Sequence, residues 1–199
     1  MAGKEIAPGA LDTEVARLGD LMQRKGIDTS TWQESAGNKS LGHLATEILQ
    51  GDAILENETT DEELRRVTHV VNLYVYAIVA DQKLQLVEDK QVFVGGKERK
   101  RGMKFLSEKK AVTEPLDSAC RRALQEEIHV EAATDIERLD EDIVEKDSPS
   151  FPGLVSKYIV YKARTTLAPE QYRAEGYTEI QSDKTTYFVW QPVLEETEA

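Results

Sequence analysis

The densest group of side chains able to do chemistry lies between residues 97 and 128. Glu126 and Glu127 stand side by side near the end of a helical pattern running from about Pro115 to Glu127. Arg122 precedes Glu126 by four residues, and Glu114 sits just before the helix. The four-residue spacing puts Arg122 and Glu126 on one helix face, where they can pair. Glu126 and Glu127 point to neighbouring faces. Carboxylates at 114, 126 and 127 that converged would attract Mg²⁺, which needs only one or two carboxylates when water and substrate phosphates complete its shell. The same residues also describe a solvated helix face with one ion pair, and composition alone favours that plainer reading.

Immediately upstream, residues 97–110 hold seven bases and two acids, a local excess of five positive charges. Arg99, Arg101 and Lys104 are the candidates there for clamping phosphate oxygens. A solvated hairpin loop explains the run equally well. Glu179 and Asp183 read as part of a polar loop before the last strand. The loop from Ser148 to Gly153 could rim the same pocket, with Phe151 or Tyr158 available for stacking. Eight acids against two bases between Glu131 and Asp147 read as an acidic surface beside a strand rather than a metal cluster. Cys120 falls on the helix pattern and reads as a small packing residue. His43 and His69 have no Cys or His at metal-ligand spacing and read as packing or surface residues.

The elements that must position these groups emerge from periodicity. The chain has 199 residues, 40% hydrophobic and 31% charged, with a formal charge of −12. That suits one globular domain with an appendage and disfavours broad attraction to nucleic acid or anionic membrane. One cysteine allows no intrachain disulfide. The start, Met-Ala-Gly-Lys-Glu-Ile, has no apolar signal segment, and the most apolar stretch, Val70 to Ala80, is about half a membrane span. A soluble, cytoplasmic protein is expected.

Apolar spacing predicts a helix over 13–25, with Asp12 as N-cap and Gly26 as stop, and another over Leu41 to Gln50 behind Ser40. Thr60 and Glu63 at capping-box spacing predict a third short helix through Arg66. Trp32, in a polar linker, is expected to dock this helical extension, residues 1–66, onto the main domain. A homodimer or protein contact through these helices is a further expectation. From Val67 the pattern changes. Val70 to Val79 reads as a buried strand, Asp81-Gln82 as a turn and Lys83 to Val87 as the returning strand. Further strands are predicted near 137–145, 154–163 and 185–191, with a helix over Pro169 to Arg173. Strands bracketing helices indicate an α/β sandwich with a mixed sheet over residues 67–199.

Laid over residues 108–130, the chain resembles the Nudix hydrolases. Their loop–helix–loop box reads G-x5-E-x7-R-E-U-x-E-E-x-G-U, with U a bulky aliphatic. Glu114, Arg122, Leu124, the pair Glu126-Glu127 and Val130 fall on its positions without a gap, and a strand-turn-strand lies upstream. The resemblance covers about residues 68–193. It implies a Nudix-like α/β/α fold and a Mg²⁺-dependent hydrolase of a phosphoanhydride such as a nucleoside diphosphate derivative, with Mn²⁺ as a substitute. Glu126, Glu127 and Arg122 would be catalytic, Glu114, Glu126 and Glu127 the metal ligands, and Glu179 or Asp183 could supply the further acid that the family often brings from outside the box.

Three box positions depart. Glu108 replaces the first glycine, His129 the last, and Ala123 replaces the acid after the arginine. In the family that acid is a principal metal ligand, and in some members it is implicated in catalysis. Loss of a general base alone implies a rate lower by roughly 10²–10⁴-fold. Two functions therefore stand side by side: a hydrolase with weak or unusual activity on a phosphate-bearing small molecule, and a pseudo-Nudix module that binds a ligand or protein without turnover.

Overall fold

The computed structural model describes residues 6–131 and 135–193. Among the described residues three α-helices, α1 (Ala10–Arg24), α2 (Leu41–Gln50) and α3 (Leu116–Ile128), accompany nine strands. The strands are β1 (Ile54–Glu56), β2 (Arg65–Val79), β3 (Gln82–Phe93), β4 (Glu98–Arg99), β5 (Leu106–Lys110), β6 (Glu137–Asp147), β7 (Val155–Thr166), β8 (Tyr177–Ile180) and β9 (Lys184–Pro192). They form a mixed open sheet in the order β6-β7-β2-β3-β9-β8, with β1 and β5 pairing β2 and β4 pairing β3. A mixed sheet with flanking helices is the α/β architecture that the sequence predicts.

The chain divides into two compact units, each drawn from separate segments. The first comprises 1–70, 109–114 and 142–160. Its core gathers Leu18, Leu21 and Met22 of α1, Leu44 and Ala45 of α2, and Trp32, Leu64, Phe151 and Leu154. The apolar face of α1 is thus spent inside its own unit. Trp32 packs against Phe151 in a tilted contact, ring centroids 5.1 Å apart, and its indole N–H donates to the Pro152 carbonyl at 2.9 Å. Phe151 is fully buried, so it packs a core and does not rim a pocket as the sequence suggests. Tyr158 lies under the Lys146 ammonium.

Capping explains α2. The Ser40 hydroxyl accepts from the His43 amide, and the His43 ring accepts from the Ser40 amide, which gives His43 a structural role. The helix predicted from Thr60 to Arg66 does not form. Lys25 donates to the Thr60 and Glu62 carbonyls and Asn57 to the Glu63 carbonyl, while Arg65 pairs with Glu56 across β1 and β2. Carbonyls held by distant side chains cannot serve a helix ladder.

The second unit comprises 71–108, 115–141 and 161–199. Its core joins Val71, Leu73 and Val75 of β2 to Ala119, Cys120, Ala123, Leu124 and Ile128 of α3, with Leu86, Leu106, Ala163 and Phe188. Cys120 is a packing residue, as its place in the helix pattern predicts. The β2–β3 hairpin turns through Ala80 and Asp81, both at positive φ, between the paired Val79 and Gln82. That is the geometry of a two-residue hairpin loop one position earlier than expected. The Pro169 helix shrinks to a single 3₁₀ turn, Pro169–Gln171, and the polar stretch after it contains the short edge strand β8. Gly176 makes β8 possible: at φ +83° a Cβ would lie 2.0 Å from the Phe188 carbonyl oxygen. The acidic stretch is the exposed strand β6, as expected. Among the described residues no helix is long and apolar enough to cross a membrane.

Candidate functional site

A cavity of about 160 Å³ opens within the second unit, between the end of α3 and the β3, β8 and β9 strands. Three local features aim side chains into it. A β-bulge at Asp89, where Glu88 faces Phe188 but Lys90 faces Tyr187, breaks the alternation of β3. Glu88 and Gln91, three apart, therefore both turn inward, which a regular strand forbids. Arg101, Met103, Phe105 and Ser107 line the cavity at every second residue, as an extended segment requires, and Lys184, Thr186 and Phe188 do so on β9. The third feature is the C-terminal half of α3, which carries Glu127.

Four carboxylates, those of Glu88, Glu108, Glu127 and Glu179, face this small space. Arg101 answers Glu88, its Nε donating to Oε1 at 2.9 Å and its Nη2 to Oε2, and Gln91 donates to the same carboxylate at 3.2 Å. Arg122 pairs with Glu108 at 2.8 Å and with Glu126 at 3.7 Å. Glu127 is nine-tenths buried, and its Oε1 finds no hydrogen-bond partner. Burial pushes its carboxyl up to about 9, Glu179, Glu108 and Glu88 push the same way, and Arg101 opposes them. Glu127 therefore holds its proton at neutral pH.

The predicted site residues separate. Glu127 enters the cavity. Its neighbour Glu126 is exposed on the adjoining helix face, tied to Arg122. Glu114 is half-buried and accepts from the Ala111 amide at 3.2 Å; it does not line the cavity. Among the described residues, no three His, Cys, Asp or Glu side chains form a metal-binding group. Of the phosphate candidates, Arg101 reaches the cavity. Arg99 donates to Gln91 at 3.0 Å and covers the Phe93 ring, and Lys104 is exposed. Lys109 belongs to a Glu47 cluster and Lys110 donates to backbone carbonyls, so much of the basic run has internal partners. Of the two outside acids, Glu179 lines the cavity and Asp183 does not, its carbonyl instead accepting from the Val94 amide. Glu88, Gln91, Glu108 and Lys184 are additions that sequence spacing missed.

Two box departures acquire a reason here. His129 caps α3 at φ 56°, the left-handed conformation that the box glycine would adopt without strain. Glu108 gives Arg122 an ion-pair partner where a glycine could not. Ala123 is fully buried in the apolar core.

The donor set suits a divalent cation that arrives with a ligand rather than one held in an all-protein cage. Glu127 would have to release its proton to ligate a cation beside Glu179, and Mg²⁺ commonly takes its remaining ligands from water and phosphate. The cavity lies below the roughly 300–1,000 Å³ of ordinary small-molecule pockets, so it fits an ion and a phosphate group, not a whole nucleotide.

No family model matches the sequence, and no curated protein matches it. Among solved structures the chain is similar to the Nudix domain of NrtR from Shewanella oneidensis in complex with ADP-ribose, at 13% identity over 69% of this chain and 77% of that one, TM-score 0.39. It is also similar to a MutT/nudix family protein from Enterococcus faecalis, at 14% identity over 65% of this chain and 45% of that one, TM-score 0.42. A third is an Ap4A hydrolase from C. elegans, at 12% identity over 63% and 80%, TM-score 0.35.

Proposed function

We propose that this chain is a weak, divalent-cation-dependent hydrolase of a phosphoanhydride, with a nucleoside diphosphate derivative as the substrate class. The observation that carries this reading is Glu127: a buried carboxyl on the box helix, with an unpartnered oxygen, in a cavity that also holds Glu179, Arg101 and Lys184. Residues 67–199 would carry the activity, with 1–66 as a helical extension, in a cytoplasmic setting.

Glu127, releasing its proton to solvent as the cation binds, and Glu179 would hold Mg²⁺, or Mn²⁺ in its place, and Arg101 and Lys184 would face the phosphate. When bound, such a cation offsets charge on phosphate oxygens and lowers the pKa of bound water. Arg101 and Lys184 supply fixed positive charge to the same oxygens, which favours the more highly charged transition state. Arg122 acts at one remove, tying Glu108 on β5 to Glu126 on α3 and so fixing the helix that carries Glu127. The box acid is Ala123 here, so a base at that position is missing, and the expected rate is lower by about 10²–10⁴-fold than with one.

Release of nucleoside monophosphate from a panel of nucleoside diphosphate derivatives tests this reading. Turnover that disappears with EDTA and in Glu127→Gln supports it, and turnover indifferent to both overturns it. A second reading, ligand binding without turnover, is favoured by the burial of Ala123 in the apolar core. Nucleotide binding with no product in any condition would establish it.

A further inference from the structure

We propose that a second cavity, with Lys83 at one end and Asp135 at the other, binds a small dipolar ion of the ω-amino acid class. Its amine would meet Asp135 and its carboxylate Lys83. The site is independent of the hydrolase reading.

The cavity holds about 530 Å³ and lies within the second unit, in the size range of ordinary small-molecule pockets. Each of four neighbouring strands sends a residue to it: Glu137 of β6, Arg164 of β7, Tyr76 of β2 and Lys83 of β3. Strand alternation explains the placement of Tyr76. Leu73, Val75 and Ala77 are buried, so Tyr76 and Ile78, alternating with them, point to the other face of the sheet. Lys83 pairs with Ile78 on that face and folds over the Tyr76 ring, its Nζ 4.2 Å from the centroid.

The charges of this cavity point to its ligand. Arg164 donates to both oxygens of Glu137, through Nε at 2.8 Å and Nη2 at 2.6 Å, so the middle of the lining neutralises itself. Among the described residues, neither the Lys83 ammonium nor the Asp135 carboxylate has an ion-pair partner. One unspent positive charge and one unspent negative charge therefore stand on either side of a neutral pair. A plain anion or a plain cation would gain at one end and be repelled at the other; a dipolar ion gains at both. The Lys83 ammonium lies over β2 and Asp135 is tied to Thr165 on the adjacent β7, so the two charges stand roughly 5–10 Å apart, one to two strand spacings. An extended 6-aminohexanoate separates its own charges by a similar length.

The walls are set before a ligand arrives. The buried Thr165 donates its hydroxyl to the Asp135 carbonyl at 2.9 Å, and the Leu167 amide donates to the Tyr76 carbonyl at 2.8 Å. Such preorganisation lowers the entropy lost on binding. Burial and the neighbouring Tyr74 push the Tyr76 phenol up against the pull of Arg164, so it keeps its proton as a donor, and Thr166 brings a second hydroxyl to the lining.

Isothermal titrations of the full chain with 6-aminohexanoate, hexanoate and hexylamine, on wild type, Lys83→Met and Asp135→Asn, read the two ends separately. Wild type should bind 6-aminohexanoate at least about tenfold more tightly than either single-charge analogue. Each substitution should weaken 6-aminohexanoate by about tenfold. Lys83→Met should then bind it no better than hexylamine, and Asp135→Asn no better than hexanoate. Both positions are exposed, so the variants should keep the wild-type circular dichroism spectrum. Equal wild-type affinity for the three molecules, binding of none of them, or 6-aminohexanoate affinity unchanged in either variant overturns the site. Nucleotide turnover at the first cavity bears on none of these outcomes.

Discussion

Glu47 and Glu127 are both buried glutamates on helices, 6% and 9% exposed, and the molecule treats them in opposite ways. Burial alone would raise Glu47, but Arg66, Lys39 and Lys109 outweigh it and hold the carboxyl at about 2. Arg66 donates to it through Nε at 2.9 Å and through Nη2, and itself lies over the Phe151 ring. Glu127 meets three other acids and a single arginine, and rises to about 9. One acid is a finished structural tie. The other is buried without a compensating cation, and it is this imbalance on which the proposed site rests.

The largest expected effect falls on the tie. Glu47→Gln strands the buried Arg66 charge and should cost about 3–5 kcal/mol in urea unfolding, whereas Glu127→Gln, close in shape to the protonated acid, should be neutral or stabilising at pH 7. Equal losses in the two variants would erase the contrast. Ala123→Glu comes next. Restoring the box acid puts a larger side chain among Leu124, Cys120 and Ile128, and overpacking alone should cost about 1–3 kcal/mol, read as a fall in Tm. A variant that keeps its Tm and gains Mg²⁺-dependent turnover would extend the Glu127 site to that position. His129→Gly should raise stability by about 0.5–1 kcal/mol by relieving the left-handed backbone at the end of α3. Smallest is Glu126→Gln. Its long contact with Arg122, at 3.7 Å, joins an exposed carboxylate to an arginine that keeps Glu108, so the loss should be less than about 1 kcal/mol, which would separate Glu126 from its buried neighbour.

The sequence made the helices and long strands legible because their signals are local. The Ser40 cap, the apolar spacing of α1 and α2, and the β-branched run of β2 all survive folding. The box spacing fell on α3 and put Glu127 among its candidates beside Glu114 and Glu126, and Glu179 was reachable, with Asp183, as an acid before the last strand. The rest depends on contacts distant in the chain. The Asp89 bulge that turns Glu88 and Gln91 inward leaves no local mark, and β8 is four mostly polar residues made possible by Gly176. Arg101, Met103, Phe105 and Ser107 do alternate in sequence, but their neighbours Lys100 and Lys104 make the segment read as one basic run. Glu114 and Glu126 match the box equally well by spacing; only the direction of each side chain separates them from Glu127.

The contrast also fixes how stability responds to pH. Glu47, lowered on folding, contributes stability above its unfolded value near 4.5 that is lost as pH falls toward about 2. Glu127, raised on folding, contributes stability that is complete below about 4.5 and is lost as pH rises through about 9. Titration of the side-chain carboxyl carbons of Glu47 and Glu127 by carbon-detected NMR, assigned with Glu47→Gln and Glu127→Gln, tests the central claim most directly. Glu47 should stay ionised down to about pH 2 and Glu127 should stay protonated up to about pH 9. A Glu127 carboxyl that titrates near 4.5, like an ordinary surface glutamate, would contradict it.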